Sequence, residues 1–214
     1  MTETGSGGPF EGPFEGGDPQ PDRRLRRRLR DLYARELPMG VLAKSLLKPL
    51  STVWYVECVD CGRDLTDPGT TYYVERAIRG GEPMYEFALC ETCLFDYEDE
   101  FSAESIRAIG DFWLEHANLE DRDALVESTE NADALLERCL LNGGHRDALE
   151  EYQVFAWCRD GRLICDAGAP GLLSGAVIEE LIPLLSRKTR DTMDDFIRDN
   201  LGLPPELQNL PVFV

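Results

Sequence analysis

The sequence predicts an α+β protein with two β-hairpins set in a mostly helical chain. Two segments rich in β-branched and aromatic residues, at 70–78 and 83–89, are separated by a Gly-Gly turn, which indicates a hairpin. A second pair of such segments flanks Asp160-Gly161 and predicts another hairpin. Elsewhere, apolar residues recur at helical spacing between capping residues and glycines, which favours helices.

Residues 1–22 form an acidic segment rich in glycine and proline, which is typical of a disordered tail. Residues 23–50 follow as an Arg-rich amphipathic helical segment, whose first helix we expect over 21–37 because Pro21 and Asp22 favour a first turn. Leu25, Leu29 and Leu32 recur on one stripe of this helix. Six arginines cover most of its remaining surface: Arg23, Arg24, Arg26, Arg27, Arg28 and Arg30.

Residues 51–117 are predicted to form a module that begins with a strand at 52–57 and continues through the first hairpin. The chain turns helical after Cys93, and Ser102 is a favourable N-cap for a helix that runs to about His116. Residues 118–214 are predicted to be a helical α+β region around the second hairpin. Its helices are expected at 119–128, 132–142, 174–186 and 187–202.

Four cysteines form two Cys-x-x-Cys pairs with 28 residues between the pairs: Cys58, Cys61, Cys90 and Cys93. A two-residue gap lets both sulfurs of a pair reach one ion, and four thiolates suit tetrahedral Zn²⁺ at ~2.3 Å. Gly62 follows the first pair and can take a positive φ, which turns backbone N–H groups back onto the sulfurs in a knuckle. Leu94 follows the second pair, so this half is predicted to enter a helix.

The predicted order of knuckle, hairpin and helix-bound second pair resembles the treble-clef class of zinc sites. The resemblance covers about residues 54–116 and rests on the four cysteines, Gly62 and the strand–strand–helix order. It implies a structural zinc ion, because four protein thiolates leave no open position for catalysis. Treble clefs serve nucleic-acid binding, ubiquitin transfer, nucleases and structural roles, so the resemblance implies a metal and a fold without a single function.

A zinc ion with four thiolate ligands carries a net negative charge, which favours cations nearby. Arg63, Arg76 and Arg79 are the local candidates for donors around the sulfurs, together with the turn at Gly62. Asp60 and Glu91, inside the two loops, add negative charge to the site, and the sequence offers no reason for them.

Three other interpretations of these cysteines stay open. A thioredoxin-like dithiol also lies between a strand and a helix, but no proline occurs from Leu94 to Ala169 to supply the cis-proline opposite it. A rubredoxin-like iron site would need a second Gly-bearing knuckle, and core thiols would need no metal. The remaining cysteines match no metal-binding spacing and are predicted to be buried free thiols: Cys139, Cys158 and Cys165.

The charge of the chain is −19 and is unevenly distributed. Residues 1–50 carry nine Lys/Arg and seven Asp/Glu, a net +2, which leaves thirteen Lys/Arg and thirty-four Asp/Glu, a net −21, in residues 51–214. Such a surface suits either a basic partner or solubility in a very salty cytoplasm, as in halophilic proteins. The Arg-rich helix then has two interpretations: it packs its leucines and pairs its arginines with the acidic body, or it contacts phosphates.

The sequence favours a non-enzymatic, zinc-stabilised adaptor or regulatory protein that acts through a protein partner. His116 and His145, the two histidines, have no Ser or Cys nearby in a nucleophile arrangement, although an enzyme without a recognisable motif stays an alternative. A nucleic-acid-binding protein that uses the Arg-rich helix is another. Apolar runs are far shorter than the ~20 residues of a membrane span, and the first residues lack the pattern of a secretion signal, so we expect a cytoplasmic protein.

Overall fold

The computed structural model of the protein describes residues 23–48 and 55–203. The predicted disordered tail, residues 52–54 of the strand expected at 52–57 and residues 204–214 lie outside the described residues. The described residues contain seven α-helices: α1 (Arg23–Tyr33), α2 (Val41–Leu47), α3 (Glu91–Asp99), α4 (Ala103–His116), α5 (Leu119–Ser128), α6 (Gly175–Leu181) and α7 (Arg187–Phe196). The strands are β1 (Arg35–Leu37), β2 (Thr71–Arg79), β3 (Glu82–Cys90), β4 (Glu151–Arg159), β5 (Arg162–Cys165) and β6 (Gly171–Ser174).

The six strands form one antiparallel sheet in the order β1-β5-β4-β2-β3, with β6 paired to the first half of β4. Its centre is the β2–β4 pair, which runs in unbroken register from Thr71 opposite Arg159 to Arg79 opposite Glu151. The two predicted hairpins, β2–β3 and β4–β5, therefore share one sheet. Strands on both sides of the boundary expected at residues 117/118 pair directly with each other.

Both hairpin turns have the conformation that their sequences predict. Gly80 and Gly81 have φ of 58° and 81°, and Asp160 and Gly161 have φ of 50° and 72°. Two consecutive residues with positive φ match the right-handed twist of the flanking strands, and glycine or aspartate enters this region at low cost.

The pleat of β2 sends alternate side chains to opposite faces of the sheet. Val74 and its cross-strand neighbour Ala156 face the side covered by α2, whose Ala43 and Leu47 are buried. Tyr73 faces the other side, where α3, α6 and α7 complete the second layer of the core. The fold is thus a sheet with helices on both faces.

The prediction of a helix at 132–142 is wrong. Only Asp133–Leu136 is helical there, as a single 3₁₀ turn. The amide of Cys139 donates to the carbonyl of Gly144 at 2.9 Å, and the amide of Leu140 donates to Leu172 of β6, also at 2.9 Å. Because these amides bind elsewhere, they cannot continue an i→i−4 ladder, and the apolar periodicity of the segment reflects burial without a helix.

The first predicted helix is too long at its C-terminal end. It stops at Tyr33, and Arg35–Leu37 forms β1 against the outer edge of β5, with Arg35 opposite Cys165. The helices after Ser102 and over 119–128 form as predicted, and Ser102 accepts a hydrogen bond from the amide of Ser105. None of the helices in the described ranges is both long and apolar enough to cross a bilayer.

Candidate metal centre

The first cysteine pair lies on a tight turn that precedes β2. Residues Glu57 and Asp64 form a bridge, and within it the amide of Cys58 donates to the carbonyl of Arg63 at 2.9 Å. Gly62 has φ of 68° and its amide donates to the carbonyl of Cys58 at 2.9 Å. This is the knuckle that the Gly after the second cysteine predicts, since an L side chain is disfavoured at that φ.

The second pair lies at the junction of β3 and α3. Cys90 is the last residue of the strand and the N-cap of the helix, with φ of −64° and ψ of 152°. The helix begins at Glu91, so Cys93 lies in its first turn, where backbone N–H groups have no partner within the helix. This position matches the prediction made from Leu94, which is buried on the same helix.

Strand and turn contacts bring the two pairs together. The amide of Val59 donates to the carbonyl of Ala88 at 2.9 Å, which holds the knuckle against β3. The amide of Cys90 donates to the sulfur of Cys58 at 3.3 Å. The sequence predicts each pair separately, whereas these two contacts determine that both pairs surround the same point.

The four sulfurs form a cluster that could hold a metal such as zinc. All four sulfur atoms lie within 4.8 Å of one another, and the sulfurs of Cys61 and Cys90 are 3.8 Å apart. Tetrahedral ligands at ~2.3 Å from one Zn²⁺ stand about 3.8 Å from each other, so the cluster has the dimensions of such a site. Cys58 and Cys90 are buried, Cys93 is partly buried and Cys61 is exposed.

The thiols of the cluster are not equivalent. A hydrogen bond from the amide of Arg63 lowers the pKa of the Cys61 thiol. Burial raises the pKa of Cys90, and burial together with the nearby Asp60 raises that of Cys93. A divalent cation among the sulfurs stabilises thiolates, so it would offset the cost of burying them.

Helix α1 lies beside the second cysteine pair and supplies the cations that balance the negative charge of Glu91. Both Arg27 and Arg30 form ion pairs with the Glu91 carboxylate, the one with Arg30 at 2.6 Å. Glu91 therefore connects the Cys-x-x-Cys loop to α1, and its charge is balanced there. Sequence reasoning missed this contact because 60 residues separate the partners of the Arg30 pair.

Two further arginines of α1, Arg23 and Arg26, face the acidic helix α3. Arg23 binds Asp96 at 2.6 Å and also Asp99, while Arg26 pairs with Glu98. The guanidinium carbon of Arg26 lies 4.5 Å from the centre of the Phe95 ring.

Two leucines of α1, Leu25 and Leu32, are exposed to solvent. The expectation that the leucines of this helix pack inward is wrong for these two, which are 46% and 65% exposed. Of the remaining arginines of the helix, Arg24 and Arg28 are exposed.

The three arginines predicted to surround the sulfurs occupy different places. Arg63 is exposed and lines a cleft of about 630 Å³ together with Cys90 and three further arginines: Arg27, Arg30 and Arg159. Arg76 pairs with Glu86 of β3 and also donates to the carbonyl of Lys48. Arg79 is opposite Glu82, at the far end of the hairpin from Cys90, and binds Glu151 at 2.9 Å.

The other three cysteines are buried outside the cluster. Cys158 lies opposite Leu163 as the turn predicts, and Cys165 lies opposite Arg35 of β1. The sulfur of Cys139 accepts from the amide of Ser174 at 3.3 Å. Burial raises the pKa of both Cys158 and Cys165 to about 12, so these thiols stay protonated at neutral pH.

The four-cysteine cluster is the main basis for inferring a function. Its geometry rests on four sulfurs, one knuckle and one helix N-terminus, all within residues 57–99. The surrounding sheet and helices form an α+β fold that positions these elements. No protein-family model, curated protein or solved structure matches the chain.

Proposed function

We propose that the four cysteines bind one structural Zn²⁺ ion and that the protein is a non-enzymatic adaptor or regulatory protein acting through protein contacts. The observation that carries the proposal is the cluster of four sulfurs within 4.8 Å of one another. Four cysteine ligands complete a tetrahedral zinc sphere, so the ion has no open position for a substrate or an activated water.

The proposed architecture of the site is treble-clef-like. A knuckle with positive φ at Gly62, the β2–β3 hairpin and helix α3 follow one another in the order that the resemblance implies. Cys58 and Cys61 belong to the knuckle, and Cys90 and Cys93 to the helix N-terminus. In this arrangement the ion would tie the knuckle to the hairpin, in addition to the main-chain hydrogen bond from Val59 to Ala88.

Protein contacts are favoured over nucleic-acid contacts by the orientation of α1. Four of its arginines pair with carboxylates of α3, so their charge is balanced within the chain: Arg23, Arg26, Arg27 and Arg30. A phosphate backbone would have to displace those carboxylates and approach a chain of net charge −19. An acidic surface of this kind is complementary to a basic protein partner.

Metal content tests the proposal directly. We expect purified protein to contain one equivalent of zinc and Cys90→Ser to contain far less, because a serine hydroxyl is a poor ligand for Zn²⁺. The matched control is Cys139→Ser, which alters a buried cysteine that lies outside the cluster. Elemental analysis of the three proteins, each checked for folding by circular dichroism, gives the comparison.

The same samples define the contrary result. A native protein that is fully folded without zinc, or a Cys139→Ser variant that loses zinc as Cys90→Ser does, would contradict the proposed site. Two equivalents of oxidised cysteine in place of the metal would point to the dithiol alternative. Chelator treatment followed by thermal unfolding adds an independent readout, since loss of a structural zinc ion should lower the unfolding temperature.

A further inference from the structure

A second concave site lies on the opposite face of the sheet from α2. It is a cavity of about 290 Å³ between the sheet, helices α3, α4 and α6, and the loop after β5. Five of its thirteen lining residues are aromatic: Tyr73, Phe101, Trp113, Phe155 and Trp157. A concave, largely apolar space with a few polar groups is the usual form of a small-molecule site.

Three of the rings form a continuous floor on the sheet. Tyr73 of β2 lies between Phe155 and Trp157 of β4, with ring centres 6.2 Å and 5.6 Å apart, respectively. The pair with Phe155 is stacked and the pair with Trp157 is edge-on. Trp113 of α4 faces this floor from the helical layer. A cation placed between these walls would meet the negative faces of several rings.

Two carboxyl groups, from Glu98 and Asp166, line the cavity, and no Lys, Arg or His side chain lines it among the described residues. Burial raises the pKa of both. One oxygen of Asp166 accepts from the amides of Gly168 and Ala169, each at 2.8 Å, which fixes the carboxyl at the cavity wall. As carboxylates these groups accept hydrogen bonds and do not donate them, so a complementary ligand supplies the donors.

The cations of α1 near this cavity are already paired. Arg30 lies with its guanidinium carbon 4.8 Å from the centre of the Trp157 ring and binds Glu91 at 2.6 Å. Arg26 pairs with Glu98 and also lies 3.4 Å from Asp99. The Arg30 contact shows that Trp157 accepts a cation on its ring face in this fold.

We propose that this cavity binds a small organic cation, a primary ammonium group carried on an aromatic or aliphatic body. The ammonium group would donate charge-assisted hydrogen bonds to the carboxylates of Asp166 and Glu98. The apolar body would pack between Trp113 and the aromatic floor of the sheet. This site is separate from the cysteine cluster, and its occupancy does not depend on the zinc proposal.

Two ligands of nearly equal shape test the inference on the intact protein. Calorimetric titration with 2-phenylethylammonium and with neutral 2-phenylethanol measures the contribution of the positive charge. We expect the ammonium compound to bind about tenfold more tightly or better. Tryptophan fluorescence gives a second readout, because Trp113 and Trp157 both line the cavity.

Variants locate the binding. Asp166→Asn keeps an oxygen for the Gly168 and Ala169 amides, and we expect it to weaken the ammonium compound severalfold while leaving the alcohol unchanged. Asp147→Asn is the matched control, since it removes the same charge from a side chain that is 66% exposed and does not line the cavity. Trp113→Leu should also weaken the ammonium compound, which keeps the test valid if Asp166→Asn does not fold.

The proposal is overturned by equal affinity for the two compounds, which would show an apolar cavity without charge selectivity. Absence of binding by either compound would overturn it as well. An equal loss of affinity in Asp166→Asn and Asp147→Asn would also overturn it, because it would assign the effect to the overall charge of the chain.

Discussion

The residue with the most unusual environment is Glu75, at the centre of β2. Its side chain is fully buried, and its carboxyl accepts hydrogen bonds from Tyr85 at 2.8 Å and Tyr73 at 3.3 Å. The amide of Gln153 donates to the Tyr85 hydroxyl at 2.7 Å, so the carboxyl belongs to a polar network inside the sheet face. Burial raises the pKa of Glu75 to about 8.

This pKa predicts a stability that falls with pH. The unfolded chain releases the Glu75 proton near its ordinary pKa of 4.5, whereas the folded protein retains it until about pH 8. Between these values the folded state binds more protons, so the free energy of unfolding decreases as the pH rises. The side chain of Glu75→Gln stays neutral. Relative to this variant, we expect the free energy of unfolding of the wild type to fall by up to about 4 kcal/mol between pH 5 and 8.

Urea unfolding of both proteins at several pH values measures this difference. Because every other titrating group, including the cysteine cluster, is common to the two proteins, its contribution cancels. A difference between wild type and Glu75→Gln that stays constant from pH 5 to 8 would show that Glu75 is ionised in the folded state.

Helix α1 is the element whose sequence pattern was most misleading. Its leucines form a regular stripe in the sequence, yet Leu25 and Leu32 are exposed. Four arginines of the helix instead pair with carboxylates of α3: Arg23, Arg26, Arg27 and Arg30. The reason is the composition of the neighbouring helix, whose last residues offer carboxylates at Asp96, Glu98 and Asp99. Guanidinium groups also pack on aromatic rings, so an arginine face can serve as an interior face.

The orientation of α1 predicts a contrast between two of its arginines. Arg26 is 21% exposed, pairs with Glu98 and lies over the Phe95 ring, so Arg26→Gln should lower the free energy of unfolding by about 1–2 kcal/mol. Arg28 is exposed on the same helix, so Arg28→Gln should change the free energy of unfolding by no more than about 0.5 kcal/mol. Chemical denaturation of both variants at one salt concentration makes the comparison. Equal effects would mean that α1 is not held through its arginine face.

At the scale of the whole molecule, the distribution of charge favours the proposed function over its nucleic-acid alternative. The chain carries −19, and its main cluster of arginines is paired internally. We therefore expect no shift of single- or double-stranded nucleic acid in gel mobility experiments, even near 50 mM salt where phosphate binding is strong. A synthetic peptide of residues 21–37 is the control, because it carries the same arginines without α3 and should shift the probe.

The opposite outcome has a clear signature. If the intact protein shifted the probe with an affinity that falls steeply as salt rises, its arginines would be contacting phosphates in place of α3. If the peptide shifts the probe and the intact protein does not, internal pairing of the arginines explains why the intact protein does not bind.

Local sequence patterns predict both hairpins, the capped helix after Ser102 and the four cysteines of the candidate metal centre. These features depend on local chemistry: two residues that tolerate positive φ, a hydroxyl that accepts an amide, and thiols two residues apart. Because each signal is complete within a few residues, the structure reproduces it at Gly80-Gly81, at Asp160-Gly161 and at Gly62.

Which elements pack together depends on long-range contacts that become visible in the folded chain. The shared sheet depends on pairing between β2 and β4, some 80 residues apart, and no local pattern encodes that pairing. The same holds for the contact of α1 with Glu91, for the loss of the helix after Ala132 and for the aromatic cavity. Each results from competition among distant partners for backbone amides, carboxylates and apolar surface, which the linear order of residues does not specify.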